Sequence, residues 1–351
     1  MRVSTSQFQY QGMSAINKHQ QEILNIQEKM STGKRINKPS DDPVGMNQVH
    51  SLKTMMSKID QFKNNGDFAK SQLSLEETQI SNGVEAIQRA RELSIQMANG
   101  TYNESDRKAA AAEVGQLVLE LKNIMNSSNP ERELLFAGNS VTADAAFVPD
   151  ANNAANGTNY VAYIGSANSD ISGTPIDAQA NYGARFIQVS FDTDNTINPD
   201  DQGDPSRVRI TDNGAQMFNI PGITTQFNGG STGAVAFATQ PDPNILNVMI
   251  EFQSYLQNGE APPSTIAEDF DLGLRHISQN LAEIGGRQNR IESQENAGSS
   301  FKLALEERRM NIEEMDVVQG ITDFTLRQNA LQMAQQVFAK VQDMSLFNYI
   351  R

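Results

Sequence analysis

Apolar residues recur every seven positions near both ends of this chain, and that spacing constrains the fold more than any other feature. Ile16, Ile23 and Met30 mark it at the N-terminal end. Ile277, Ile284, Ile291, Leu305 and Ile312 repeat it toward the C-terminus, interrupted at Gly298. Past Gly320 the stripe resumes as Leu326, Ala330, Met333, Val337, Val341 and Met344, and a second line of Ile321, Phe324, Leu331 and Phe338 widens it. A seven-residue apolar repeat keeps one helix face turned toward a partner helix, which is what coiled-coil packing requires. Both flanks are therefore expected to be long amphipathic helices, paired antiparallel.

The middle of the chain follows another grammar. The 107 residues from Asn139 to Ile245 contain no leucine, lysine or glutamate, three of the strongest helix formers. Seven of the 12 prolines and ten of the 24 glycines fall there, with 11 aspartates against Arg185, Arg207 and Arg209. Ile187, Val189 and Phe191 alternate with polar residues, as do Val208 and Ile210, and Asp212-Asn213-Gly214 follows as a turn signal. The expected fold is mainly α with an inserted β-rich domain, the flanks forming an elongated antiparallel coiled coil or helical bundle. A disordered acidic spacer is the competing reading of the insert. The expected division is 1–40 with 313–351 as a terminal assembly domain, 41–140 with 246–312 as a helical rod, and 141–245 as the outer β-rich domain.

Local signals punctuate the flanks. Ser31-Thr32-Gly33 stops the first helix, because glycine accepts the left-handed conformation a helix end needs. Asp42 caps the next, with Pro43 in its first helical position. Val49, Leu52, Met56, Ile59, Ile80, Val84 and Ile87 mark its buried face, and Asn99-Gly100 closes it. A third helix spans about Ser105 to Ser127, and Glu133 to Gly138 reads as the start of a hairpin. Thr265 and Glu268 form a capping box for the helix after Pro262-Pro263.

Composition excludes several kinds of function. With 28 basic and 42 acidic residues the net charge is −14, which argues against binding a phosphate backbone, so no nucleic-acid partner is expected. No run approaches the roughly 20 apolar residues that span a bilayer, so membrane insertion is not expected. The absence of cysteine removes thiolate metal sites, disulfides and thiol nucleophiles. His19, His50 and His276 are too scattered for a metal cage, and neither metal nor cofactor is expected. The N-terminus lacks the apolar core of a cleaved secretory signal. Gly229-Gly230-Ser231-Thr232-Gly233 spells G-x-S-x-G with His276 downstream, but a nucleophile elbow needs a strand before the serine and a helix after it. Asp192 to Ile197 opens like a calcium loop, with Ile197 in the place of the required glycine.

Two blocks carry a resemblance. Met30 to Asn37 (MSTGKRIN) followed by Lys38 to Pro43 (KPSDDP), and Arg89 to Thr101 (RARELSIQMANGT), resemble the N-terminal signatures of the bacterial flagellin family. Pro39-Ser40-Asp41-Asp42-Pro43, Glu133 to Gly138 (ELLFAG) and the ending Ser345 to Arg351 (SLFNYIR) are similar to the members that join hook to filament. The resemblance covers about 1–140 and 246–351. It implies a structural, non-enzymatic subunit of the flagellum, self-assembled into a ring on hook-associated protein 1 and templating flagellin. It also implies an extracellular location, reached through the flagellar type III export channel without a cleaved signal. An export chaperone would hold the C-terminal helix.

On this reading the subunit interface comprises Ile16, Ile23, Met30, Leu331, Phe338 and Val341 from the stripes. Lys34, Arg35 and Asp41 join it from the turn, where a neighbour's carboxylate or cation is the expected partner. Helix capping is the simpler account of Asp42. The alternatives are a filament flagellin and, from different classes, a secreted serine hydrolase using Ser231 or an adhesin acting through the insert.

Overall fold

The computed structural model describes residues 5–138, 144–153, 158–164, 185–191, 206–231, 236–237 and 239–347. In chain order the elements are helices α1 (Thr5–Thr32), α2 (Pro43–Met97) and α3 (Glu104–Met125), then strands β1 (Phe147–Pro149), β2 (Val161–Tyr163), β3 (Phe186–Gln188) and β4 (Arg207–Arg209). Helices α4 (Gly214–Phe218), α5 (Ile245–Gln257), α6 (Ser264–Glu313) and α7 (Val317–Phe347) complete it. No helix among the described residues is long and apolar enough to cross a membrane. The fold is mainly helical, with flanking helices and a small β region in the middle, as the sequence pattern predicts.

The chain forms two compact units. The terminal unit comprises Met1–Asp60 and Ser299–Arg351, and the central unit comprises Gln61–Gly298. In the central unit the seven-residue spacing becomes packing. Leu73, Ile80 and Ile87 of α2 and Ile277, Ile284 and Ile291 of α6 all lie in one buried cluster, with Val114 and Leu121 of α3. Helix α5 is buried on nearly every side, from Ile245 through Leu256. The described part of the insert shares this core: Phe147, Tyr160, Val161, Val208 and Phe218 belong to the same cluster. Its strands form two antiparallel ribbons, β1 with β2 and β3 with β4, and Ile187 opposes Val208 as their alternation suggests.

The local signals fare unevenly. Helix α1 ends at Thr32 with Gly33 at φ +70°, and α2 begins at Pro43 with the Asp42 Oδ1 accepting from the Gly45 N–H at 2.8 Å. Helix α3 is closed at its start by a capping box between Asn103 and Asp106. Glu133 to Gly138 does not start a hairpin but ends one, Leu134 making an isolated antiparallel bridge back to Ser128. Asn129 turns the chain by accepting from the Glu131 and Glu133 N–H groups, and Leu134 to Ala137 are consecutive buried residues plugging the core. Asn213 caps α4, accepting from the Ala215 N–H, so the turn signal there is a helix start. Thr265 is not a cap, because α6 already begins at Ser264 and the Ile266 N–H bonds to the Pro263 carbonyl.

Gly298 does not interrupt α6, and Gly320 lies inside α7. One glycine in a long helix costs only about 1 kcal/mol. The break falls instead at Glu314 to Asp316, where the Asp316 side chain accepts from the Val318 and Gln319 N–H groups.

Gly230 (φ +70°) seats its loop on α5, where a methyl would collide with the backbone of Ser254 and Tyr255. Gly222 (φ +78°) faces open space. Gly230→Ala is therefore expected to cost about 3 kcal/mol and Gly222→Ala about 1 kcal/mol. Urea midpoints of the two variants check the contrast; equal losses would contradict it.

Candidate assembly interface

Three segments of the terminal unit meet at one carboxylate. Glu313, the last residue of α6, is only 4% exposed. Its Oε1 lies 2.9 Å from the Lys34 Nζ and 3.0 Å from the Lys53 Nζ, and its Oε2 lies 2.7 Å from the Arg309 guanidinium. The backbone closes around it: the Arg35 N–H donates to the Glu313 carbonyl at 2.8 Å and the Met315 N–H to the Gly33 carbonyl at 3.0 Å. The Arg35 guanidinium donates to the Ile312 carbonyl at 2.8 Å and stands 3.7 Å from Asp42. Burial pushes the Glu313 carboxyl up, but the hydrogen bonds from Lys34, Lys53 and Arg309 outweigh it and hold the group at about 2.

Beyond this clamp, α1 and α7 pair antiparallel. Phe338 lies over Gly12, where an added methyl would approach its ring within 2.7 Å. Arg327 reaches Glu22 at 2.8 Å, and the backbones of Lys34 and Glu314 form an antiparallel bridge where the two helices begin to run together. Rising numbers on α1 thus meet falling numbers on α7. Ile16, Ile23 and Met30 on α1 and Leu331 and Phe338 on α7 are all half-buried. Among the described residues, no large apolar side chain of either helix is fully buried. A second α7 stripe points outward: Leu326, Met333 and Val337 are 63%, 65% and 59% exposed. At positions 7 and then 4 residues apart they share one face of the helix. Tyr10, Met13 and Leu24 of α1 are exposed as well.

The structure places the sequence-derived residues as follows. Ile16, Ile23, Met30, Leu331 and Phe338 occupy the α1–α7 pair within one chain, while the Val341 side chain lies outside the described residues. Lys34 and Arg35 contact the end of α6 in the same chain. The Asp41 carboxylate accepts from the Asn37 and Lys38 N–H groups at 3.1 Å each, and those backbone bonds hold its pKa below the usual carboxylate range. Sequence reading missed the partner of the two cations. Glu313 is separated from Lys34 by most of the chain, and Arg309, one turn before Glu313, was the only local signal.

Among the described residues the serine-hydrolase geometry does not occur. Residues 223–231 form no strand before Ser231. The Ser231 hydroxyl faces Glu260 at 3.4 Å, and the His276 Nε2 sits 2.7 Å from the Gln216 carbonyl. The calcium-like segment 192–197 lies outside the described residues. Among the described residues no cluster of three or more metal-ligating side chains occurs.

Residues 3–141 match the bacterial flagellin N-terminal helical region, and residues 270–350 match the bacterial flagellin C-terminal helical region. The chain belongs to the bacterial flagellin family. Flagellar hook-associated protein 3 of Escherichia coli is 27% identical, the match covering 99% of each chain. Flagellar hook-associated protein 3 of Salmonella typhimurium is also 27% identical over 100% of each. The fold is shared with a solved flagellar hook-associated protein of Vibrio parahaemolyticus at a TM-score of 0.56. That match has 19% identity and covers 78% of this chain and 100% of the other. These relatives are structural flagellar proteins, so this family member is a structural molecule and the hydrolase reading is withdrawn.

The clamp predicts a pH dependence. Glu313 is held below its unfolded value, so its contribution is fully present above the ordinary glutamate range and is lost as pH falls through about 2. At about 1.4 kcal/mol per pKa unit the contribution is at most about 3 kcal/mol, and screening at the half-exposed lysines reduces it to about 2. Glu313→Gln should lower the melting temperature of the terminal unit at pH 7 and lower it far less near pH 2. An equal loss at both pH values would exclude the electrostatic account.

Proposed function

We propose that this chain is the subunit that joins the flagellar hook to the filament, assembling as a ring on hook-associated protein 1 and templating flagellin. The observation that carries the reading is the full-length match to relatives named flagellar hook-associated protein 3. The exposed Leu326, Met333 and Val337 stripe supports it physically. Burial of one such side chain stabilises by roughly 1.5–3 kcal/mol, and a ring repeats the burial in every subunit.

In this proposal residues 1–40 with 313–351 form the assembly domain, 41–140 with 246–312 the helical rod, and 141–245 the outer domain. Ile16, Ile23, Met30, Leu331, Phe338 and Val341 set the α1–α7 pair. Lys34, Arg35 and Asp41 fix the turn that positions it, and the outward stripe meets the neighbouring subunit. The chain travels through the flagellar type III export channel. A chaperone covers the two-stripe C-terminal helix until it folds outside the cell.

Purified protein added externally to cells that lack it but secrete flagellin tests this reading. Wild type should restore filaments. Met333→Glu should not, while the monomer keeps its helix content and melting temperature. Gln332→Glu, which adds the same charge beside the stripe, should restore them. Filaments restored by Met333→Glu would remove the stripe from the interface, and long filaments grown from the purified chain alone would identify a filament subunit.

A further inference from the structure

A second buried carboxyl lies in the central unit and behaves in the opposite sense to Glu313. Glu76, in the middle of α2, is 1% exposed, and neither of its side-chain oxygens receives a hydrogen bond from an N–H or O–H group. Its polar neighbour is Asp212, itself 2% exposed, in the segment between β4 and α4. Both Asp212 oxygens are already engaged. Oδ1 lies 2.7 Å from the Arg209 guanidinium on β4, and Oδ2 lies 2.6 Å from the Arg287 guanidinium on α6. Arg287 also donates to the Arg209 carbonyl at 3.2 Å, and the exposed Glu283 of α6 stands 3.7 Å from Arg209.

The charges decide the protonation pattern. Arg209 and Arg287 are balanced by Asp212 and Glu283 without Glu76. An ionised Glu76 would be an extra buried negative charge beside a carboxylate, lacking any donor of its own. A buried charge without hydrogen-bond compensation is neutralised in preference to being tolerated. We propose that Glu76 is a protonated carboxyl at neutral pH, donating its proton to Asp212, and that this carboxyl–carboxylate contact is a pH-sensitive lock joining α2 to α6 and to the β4–α4 segment.

Burial, then the Asp212 charge, push the Glu76 carboxyl well above its ordinary value, while the two arginines act in the other direction. Asp212 shifts the opposite way: burial raises it, and Arg209 and Arg287 outweigh burial and keep it ionised. The folded state therefore holds the Glu76 proton more tightly than the unfolded chain does. Stability is intact below the ordinary glutamate value and falls as pH rises through the raised one. Glutamine retains the shape and the donor of the protonated acid but cannot ionise.

The test compares the full-length chain with Glu76→Gln by urea denaturation of the central unit from pH 5 to pH 9, together with infrared spectra of the protonated-carboxyl band at pH 7. The parent midpoint should fall with rising pH. The variant should match it at pH 5, exceed it at pH 9, and lack one protonated-carboxyl band that the parent shows. Parallel pH profiles would overturn the lock. So would identical carboxyl bands, a reading that stands even if the variant is less stable overall.

Discussion

A 55-residue helix such as α2 persists in water only where its apolar stripe is covered, since propensity alone leaves long polar helices marginal. In the central unit the covering is complete. Leu73, Ile80 and Ile87 meet the isoleucines of α6, and α3, α5 and the insert close the remaining sides. In the terminal unit Leu52, Ile59 and Leu305 form a small separate cluster, with Met56 and Ile312 against it. The α1–α7 pair beyond that has half-buried stripes and an outward apolar face. The same seven-residue rule therefore produces a finished core in one place and an unfinished surface in another.

The buried polar groups sit where helices must be held at a fixed register. Glu313 gathers cations from the turn after α1, from α2 and from its own helix, replacing a hydrophobic core that the turn is too polar to build. Glu251 works similarly in the central unit. Its carboxylate accepts from the Tyr160 hydroxyl and from the Asn228 and Gly230 N–H groups, pinning the glycine-rich loop to α5. The described part of the motif that resembles a nucleophile elbow is thus a packing device, and Gly230 serves close backbone approach to α5.

Much of this organisation was legible beforehand because helix periodicity is local. The buried positions Ile80, Ile87, Ile277, Ile284 and Ile291 follow directly from spacing, and Gly33, Asp42 and Pro43 follow from cap chemistry. The segment Glu133 to Gly138 was not legible, because it depends on what approaches from a distant part of the chain, Ala137 pairing with Asn213, which no local window contains. The stripe of α7 was visible, but its division was not. Which line, Leu331 and Phe338 or Leu326 and Met333, would face α1 depends on a partner more than 300 residues away. For the same reason Lys34 and Arg35 offered no clue to Glu313.

The terminal unit is built from both ends of the polypeptide, whereas the central unit is one continuous stretch. This arrangement imposes an order in time. The central unit contains all of its own partners and can form as soon as it is present. Glu313 cannot meet Lys34 until the end of α6 has arrived, nor Phe338 meet Gly12 until α7 has. Any process that delivers the chain as a thread, from either direction, leaves whichever of α1 and α7 arrives first without its partner until the other follows.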